Sequence, residues 1–191
     1  MRQVVLYQLL SLDGVAEEPG DWVFDVDPEL VDHLGRVIAR QDDVLLGRAT
    51  YDYWAGYWPT SDVQPFADFV NGVRKHVATS TPLTQPWANS TVVEGPLVEH
   101  VAALKRRDGG DIGVHGSATL ARSLLRAGLV DELQLVVAPT VAGHGRRLFG
   151  DDEQLQRFEL VDVAGTSSGL VLLHHRLRGA GRGHPAAVRL S

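Results

Sequence analysis

Asp43-Val44-Leu45-Leu46-Gly47-Arg48-Ala49-Thr50-Tyr51 compresses a strand, a turn and the start of a helix into one short run. Asp43 to Leu46 reads as a short buried strand, Gly47 stops it, and Arg48 to about Gly56 suits a helix. The same order recurs at Asp111-Ile112-Gly113-Val114-His115-Gly116-Ser117-Ala118-Thr119. Two strand-glycine-helix units in one chain predict a sheet with parallel strands and helices laid over its faces.

Outward from these units the alternation continues. Val4 to Leu12 is a further strand, nearly continuous in Val, Leu and Tyr, and Asp13-Gly14 ends it as a turn. Asp27-Pro28-Glu29 supplies an N-cap, a proline at the first helical position and an acid in the first turn. Leu30, Val31, Leu34, Val37 and Ile38 follow at helical spacing, which predicts a helix to about Arg40. Between the two units, His76 to Thr79 and Thr91 to Val93 read as strands, and Pro96 to Arg107 as a helix closed by Asp108-Gly109-Gly110. After the second unit's helix stops at Gly128, Leu133 to Ala138 is a strand. Phe158 to Val163 and Leu170 to Leu177 then form a β-hairpin across Gly165-Thr166-Ser167-Ser168-Gly169. Residues 1–178 are expected to be one α/β domain, and the Gly-, Ala- and Arg-rich segment 179–191, with little to bury, is expected to be disordered.

The 191 residues carry 24 Asp and Glu against 18 Lys and Arg, a net charge of −6. Because 179–191 hold Arg182, Arg189 and no acid, the rest of the chain stands at −8. That sign argues against nucleic acid or an anionic membrane as partner. The absence of cysteine excludes disulfides, thiolate zinc sites, iron–sulfur clusters and cysteine nucleophiles, and points to a reducing cytoplasm. Met1-Arg2-Gln3 runs straight into an apolar strand without the features of a secretory signal, and no apolar run reaches the length of about 18 residues that a bilayer span needs.

Residue types remove several chemistries. The only lysines, Lys75 and Lys105, follow Arg74 and Leu104, so no Gly-Lys-Ser/Thr phosphate loop exists. The eight histidines include no His-Glu-x-x-His or His-x-His pair, and adjacent His174 and His175 face opposite sides of a strand, so no metal is expected. Gly165 to Gly169 matches the Gly-x-Ser-x-Gly of serine hydrolases, yet Leu170-Val171-Leu172-Leu173 continues it as a strand, not the helix a nucleophile elbow needs. Gly143-His144-Gly145-Arg146-Arg147-Leu148 imitates a dinucleotide fingerprint without its third glycine or helix, and reads better as a tight loop with Arg146 and Arg147 in solvent.

The two strand-to-helix turns remain. Each offers free backbone N–H groups and the positive end of a helix to an anion. Arg48 and Thr50 add a charge and a hydroxyl at the first, whereas Gly116, Ser117 and Thr119 allow close approach and add donors at the second. Ordinary helix capping explains either turn alone. Their pairing in one small chain favours a dinucleotide.

Taken in order, Ser11-Leu12-Asp13-Gly14, Gly20-Asp21-Trp22, Leu46-Gly47-Arg48-Ala49-Thr50-Tyr51, Ser80-Thr81-Pro82, His115-Gly116-Ser117 and Val137-Ala138-Pro139 through Leu148-Phe149 resemble the signatures of the dihydrofolate-reductase-like superfamily. The resemblance is greatest to its branch containing the reductase domain of the bifunctional riboflavin-biosynthesis deaminase-reductase, and it covers residues 1 to about 178. It implies a central, mostly parallel sheet of about eight strands flanked by helices, a C-terminal antiparallel hairpin, and NADPH across the carboxyl ends of the strands. By position, Gly47, Arg48 and Thr50 match the family's Gly-Arg-x-Thr phosphate contact. Ser80 and Thr81 match the segment that receives the adenosine 2′-phosphate, and Gly116, Ser117 and Ala118 match the pyrophosphate turn. Two departures accompany the match. His115-Gly116 replaces the two glycines of folate reductases, where a strained peptide is expected. The zinc deaminase signature needs cysteines, so only the reduction step is implied.

That step moves a hydride from nicotinamide to a pterin-like or aminopyrimidine-like ring, with a proton delivered to the adjacent atom. Asp13, at the carboxyl end of the first strand, and Glu29, near the helix start that carries the catalytic acid in folate reductases, are the candidate acids. Their plainer readings are a turn former and a favourable charge at a helix start. Tyr51, Tyr53, Trp54, Tyr57 and Trp58 suit a core, whereas Trp22, with acidic and Gly-containing flanks, is expected in a loop where it can stack on a flat substrate. A non-catalytic ligand-binding protein of the same fold is the competing reading. The riboflavin-type reductases pair subunits, and the hairpin is apolar on both faces, with Val161, Val163, Val171 and Leu173 on one and Leu170 and Leu172 on the other. A homodimer is therefore expected.

Overall fold

The computed structural model describes residues 1–150 and 155–178. Its strands are β1 (Val4–Leu10), β2 (Gln41–Gly47), β3 (Arg74–Ala78), β4 (Ser90–Val92), β5 (Asp111–Val114), β6 (Glu132–Val137), β7 (Phe158–Gly165) and β8 (Val171–Leu177). The α-helices are α1 (Pro28–Ile38), α2 (Arg48–Tyr57), α3 (Phe66–Gly72), α4 (Leu97–Arg106) and α5 (Ala118–Arg126). All eight strands join one sheet in the order β4-β3-β2-β5-β1-β6-β8-β7. Pairings among β1 to β6 are parallel, and β8 runs antiparallel to both β6 and β7. This is the α/β architecture with a C-terminal antiparallel hairpin that the sequence predicts.

Strand alternation assigns the helices to faces. Val4 and Leu6 of β1 pack with Val101 and Leu104 of α4 and with Leu120 and Leu124 of α5. Val5 and Tyr7, pointing the other way, meet Leu30 and Val37 of α1. Farther along that second face, Val44 and Leu46 of β2 lie against Tyr51 and Ala55 of α2 and Phe66 and Val70 of α3. Helices on both faces make the central strands apolar throughout, which is why they read as continuous runs.

Local chemistry sets the boundaries. The Asp27 carboxylate accepts the Leu30 N–H to start α1, with Pro28 at its first position, and Ser117 does the same for Leu120 at the start of α5. β1 stops at Leu10, two residues early, because Ser11 bonds to Val15 through both its N–H and its hydroxyl and folds 11–15 into a turn. Among the described residues no helix is long and apolar enough to cross a membrane. The segment 179–191, expected to be disordered, lies outside the described residues.

Candidate cofactor and substrate site

β2 and β5 are neighbours, so their carboxyl ends bring the two glycine turns into contact. The Gly47 N–H donates to the Gly116 carbonyl at 3.3 Å. The approach is close: a Cβ on Gly47 would lie 2.5 Å from Ser117 Oγ, too near to fit, and one on Gly116 would press on Thr50 Oγ1 at 3.2 Å. Gly116 also takes φ of +126°, open only to glycine at little cost, and a cis peptide joins it to Ser117. α2 starts at Gly47 without a side-chain cap, so its first-turn N–H groups have no partner within the helix or from a cap. Beside it lies the start of α5. Two positive helix ends held this close form a cradle for an anion.

Arg48 ties a third segment to the cradle. Its guanidinium donates to Asp52, to Thr81 Oγ1 at 2.6 Å and to the carbonyls of Thr81 and Pro82. Thr79 Oγ1 lies 3.3 Å from Thr81 Oγ1. Gly47, Arg48, Thr50, Ser80, Thr81, Gly116, Ser117 and Ala118 thus come together through the Gly47–Gly116 and Arg48–Thr81 bonds, with Ser80 exposed.

Asp13 has another role than the acid expected of it. Its carboxylate accepts Ser11 Oγ–H at 2.7 Å and the N–H groups of Ala142 and Gly143 at 3.0 and 3.1 Å. The Ser11 hydroxyl, then the Ala142 N–H, hold its pKa at about 2, so at neutral pH it is ionised and has no proton to give. It clamps the 139–148 loop to the end of β1. Arg146 and Arg147, expected in solvent, are half-exposed but partnered. Arg147 donates to the Asp13 carbonyl at 2.8 Å, while Arg146 pairs with Glu17 at 3.1 Å and donates to Thr119 Oγ1 at 2.9 Å.

Trp22 stands in a loop, as its flanks suggest, but its ring is only 4% exposed and packs with Val5, Tyr7 and Leu30. Its indole N–H donates to the Glu17 carbonyl at 2.9 Å. The acidic neighbours stay outside while the largest apolar surface of the segment turns inward. It therefore edges, rather than faces, a cleft of about 40 Å³ formed with Val23, Phe24, Asp25, Pro139, Thr140 and Ser168. The aromatic free to stack there is Phe24, 77% exposed.

Glu29 sits in the first turn of α1 and accepts from Ser167 Oγ at 3.1 Å. Two residues before it, Asp27 is buried and bridges α1 to the β7–β8 turn, accepting from Ser168 Oγ at 2.5 Å and Ser168 N–H at 3.2 Å. Burial pushes its pKa up, but hydrogen bonds from Ser168, Thr166 and the Leu30 N–H prevail and hold it at about 2. Sequence reasoning saw Asp27 only as a cap, because capping accounts for it locally and its partner lies 141 residues away.

Residues 2–172 match the RibD C-terminal domain. The chain belongs to that family. It is 29% identical over 186 residues to the uncharacterized protein YyaP of Bacillus subtilis (strain 168), covering 93% of this chain and 96% of the relative. A solved structure from Shewanella sp. PV-4, named for riboflavin biosynthesis, superposes with a TM-score of 0.72 at 22% identity, over 93% of this chain and 99% of that one. The dihydrofolate reductase of Enterococcus faecalis, solved with NADP(H), superposes with a TM-score of 0.63 at 16% identity, over 93% and 97%. The fold is dihydrofolate-reductase-like, and membership of the RibD C-terminal domain family supports a reductase-type function.

Proposed function

We propose that this member of the RibD C-terminal domain family is an NADPH-dependent reductase of a pterin-like or aminopyrimidine-like ring. The observation that carries the reading is the contact between Gly47, which has no room for a Cβ, and Gly116, whose φ of +126° suits glycine, at the starts of two helices. A dinucleotide fits that cradle. Arg48, Ser80 and Thr81 would hold a 2′-phosphate, and Gly116, Ser117 and Ala118 a pyrophosphate, through charge-assisted donors and open backbone. Bound there, the nicotinamide supplies a hydride.

The remaining tasks fall to the chain. Phe24, exposed where it lines the cleft with Pro139 and Thr140, stacks on a substrate ring lying over the cleft mouth. Asp27, ionised behind Ser168, accepts that hydroxyl's hydrogen bond and leaves the Ser168 oxygen as an acceptor at the cleft. The proton comes from water, and Glu29, exposed in the first turn of α1 and joined to the β7–β8 turn through Ser167, is the carboxylate placed to orient that water. The test is the loss of reduced-nicotinamide absorbance with folates, pterins and aminopyrimidines. Oxidation with one of these classes supports the reading. Cofactor binding without oxidation across the panel favours the non-catalytic alternative, and no NADPH binding removes the cofactor assignment.

We further infer that the free edge of the sheet is covered by a second copy of the chain. β7 is the last strand, and Leu160, Val161 and Val163 are 52%, 43% and 52% exposed on it. Apolar side chains on an unpaired edge favour association, and an isologous partner presents the same strand in return.

A further inference from the structure

We propose that Arg146 is a second phosphate-binding arginine of the dinucleotide site, reading the pyrophosphate rather than the 2′-phosphate, and that Glu17 is its built-in competitor. The proposal rests on the cofactor reading above. Thr119 is the second residue of α5, so the guanidinium that donates to its hydroxyl at 2.9 Å lies at the helix start where the Gly116 turn receives an anion. The backbone beneath it is fixed. The Arg146 carbonyl accepts the Ala16 N–H, Arg122 on α5 donates to the carbonyls of Arg147 and Leu148, and Gly145, at φ of +106°, leaves room for Val15 where a Cβ would come within 2.8 Å.

The guanidinium itself is half in water. Of the arginines in this loop and on the adjoining face of α5, Arg147 donates to the Asp13 carbonyl and lies 3.6 Å from its carboxylate, and Arg122 donates to two further carbonyls. The ionic partner of Arg146 is Glu17, a partly exposed carboxylate that also accepts the Arg146 backbone N–H at 3.0 Å. The backbone bond holds the loop without the guanidinium, and the half-exposed ion pair is weak enough to exchange for a better anion. A phosphate oxygen arriving at the first turn of α5 offers one, bidentate in reach and more highly charged. Arg146 and Arg48 then divide the cofactor. Arg48, bonded to Thr81, faces the part that distinguishes NADPH from NADH, and Arg146 faces the part they share.

Fluorescence titrations of NADPH and NADH into the wild type, R146A, R146K, E17Q and R48A test this. R146A should weaken both cofactors by the same factor, roughly three- to tenfold, with R146K intermediate. E17Q should tighten both by roughly twofold, because it removes the competitor. R48A should weaken NADPH alone. A merely structural Arg146–Glu17 pair predicts the opposite sign for E17Q, with both variants weakening binding and lowering the unfolding midpoint, and that result overturns the proposal. Unchanged affinity in R146A, or a loss confined to NADPH, also overturns it while leaving the reductase reading in place. Failure of the wild type to bind either cofactor overturns both.

Discussion

The two ends of the parallel strands use the same charged residue types in opposite ways. At the amino ends, Asp43, Lys75 and Lys105 are buried and answered from within, under the outer Arg74. Asp43, 2% exposed, accepts two hydrogen bonds from Arg74 at 2.9 and 2.8 Å, pairs with Arg2 at 2.7 Å, and lies 2.8 Å from His76 Nε2. Lys75, wholly buried, donates to the carbonyls of Val70 and Val73 at the end of α3 and lies over the Trp87 ring. Lys105 is held by Asp131 and the Leu129 carbonyl. At the carboxyl ends, Arg48 and Arg146 keep part of their surface in water beside glycine turns. A charge buried among its partners serves the fold. One that keeps a solvent-facing side beside the glycine turns is, on the reductase reading proposed above, left for a ligand.

The largest expected effect breaks the amino-end network. Asp43→Asn leaves the surrounding cations without their buried counter-charge and should cost about 3–5 kcal/mol of stability in urea unfolding. NADPH affinity of the folded fraction should stay unchanged. Hydrogen bonds from His76, Arg74 and Arg2 hold the Asp43 carboxyl far below the ordinary carboxylate range despite its burial. Its contribution is thus present above the unfolded pKa of about 3.9 and is lost as pH falls toward the folded value, a decline that Asp43→Asn should lack. If the variant is as stable as the wild type, the contrast between the ends fails.

Arg48→Ala makes the converse cut. NADPH affinity should fall roughly ten- to a hundredfold, the worth of about 1.5–3 kcal/mol in charge-assisted hydrogen bonds, with NADH affinity unaltered. Stability in urea should fall by no more than about 1 kcal/mol, since the bonds lost to Asp52, Thr81 and Pro82 lie at the surface. An equal loss for both cofactors would place Arg48 on the pyrophosphate instead.

His115 sharpens the comparison, because it precedes Gly116 at the functional end yet is buried like the charges of the other end. Its Nε2 lies 2.7 Å from Gln41 Oε1, among the rings of Tyr7, Phe66 and Phe69. Burial pushes its pKa down to about 3. The folded value lies below the unfolded one of about 6.5, so the unfolded chain takes up the proton first and stability falls as pH drops below that point. Between pH 7 and 5 the loss should reach about 2 kcal/mol, measured as the difference in urea stability between wild type and His115→Gln. Parallel pH profiles for the two proteins would show that His115 is not kept neutral.

The strand-turn-helix units, the helix starts and the C-terminal hairpin were legible because each depends on neighbours in sequence. A cap, a glycine turn or an alternating strand carries its cause within a few residues. The same holds for Gly47, Arg48 and Gly116, whose demands are those of a local turn. The partners of Trp22, Asp13 and Asp27, the last correctly read as a cap, were not legible for one shared reason. Their surroundings come from segments far along the chain, with Ala142 and Gly143 closing on Asp13 from 129 and 130 residues away. A flank of acids marks a loop correctly and says nothing about where the loop's one indole points. Arg146 illustrates the same limit, since neither Thr119 nor Glu17 is near it in sequence.

The smallest expected effect on the fold concerns a sheet edge where apolar groups, rather than charges, are left facing water. On β7, Val163 pairs across the hairpin with Leu173, and Leu160 with His175, so both project from the same face of the edge strand. Val163→Lys replaces an exposed methyl pair by a charge that neither strand pairing nor a buried neighbour forbids, and monomer stability should change by no more than about 0.5 kcal/mol. In a dimer closed by two copies of this edge, the substitution sets two lysines into one interface by symmetry, and like charges there oppose association. Light scattering at micromolar concentration should give twice 20.8 kDa for the wild type and a shift toward 20.8 kDa for the variant. A wild type that is already monomeric removes the second copy from β7. A dimer that survives Val163→Lys moves the interface to another face.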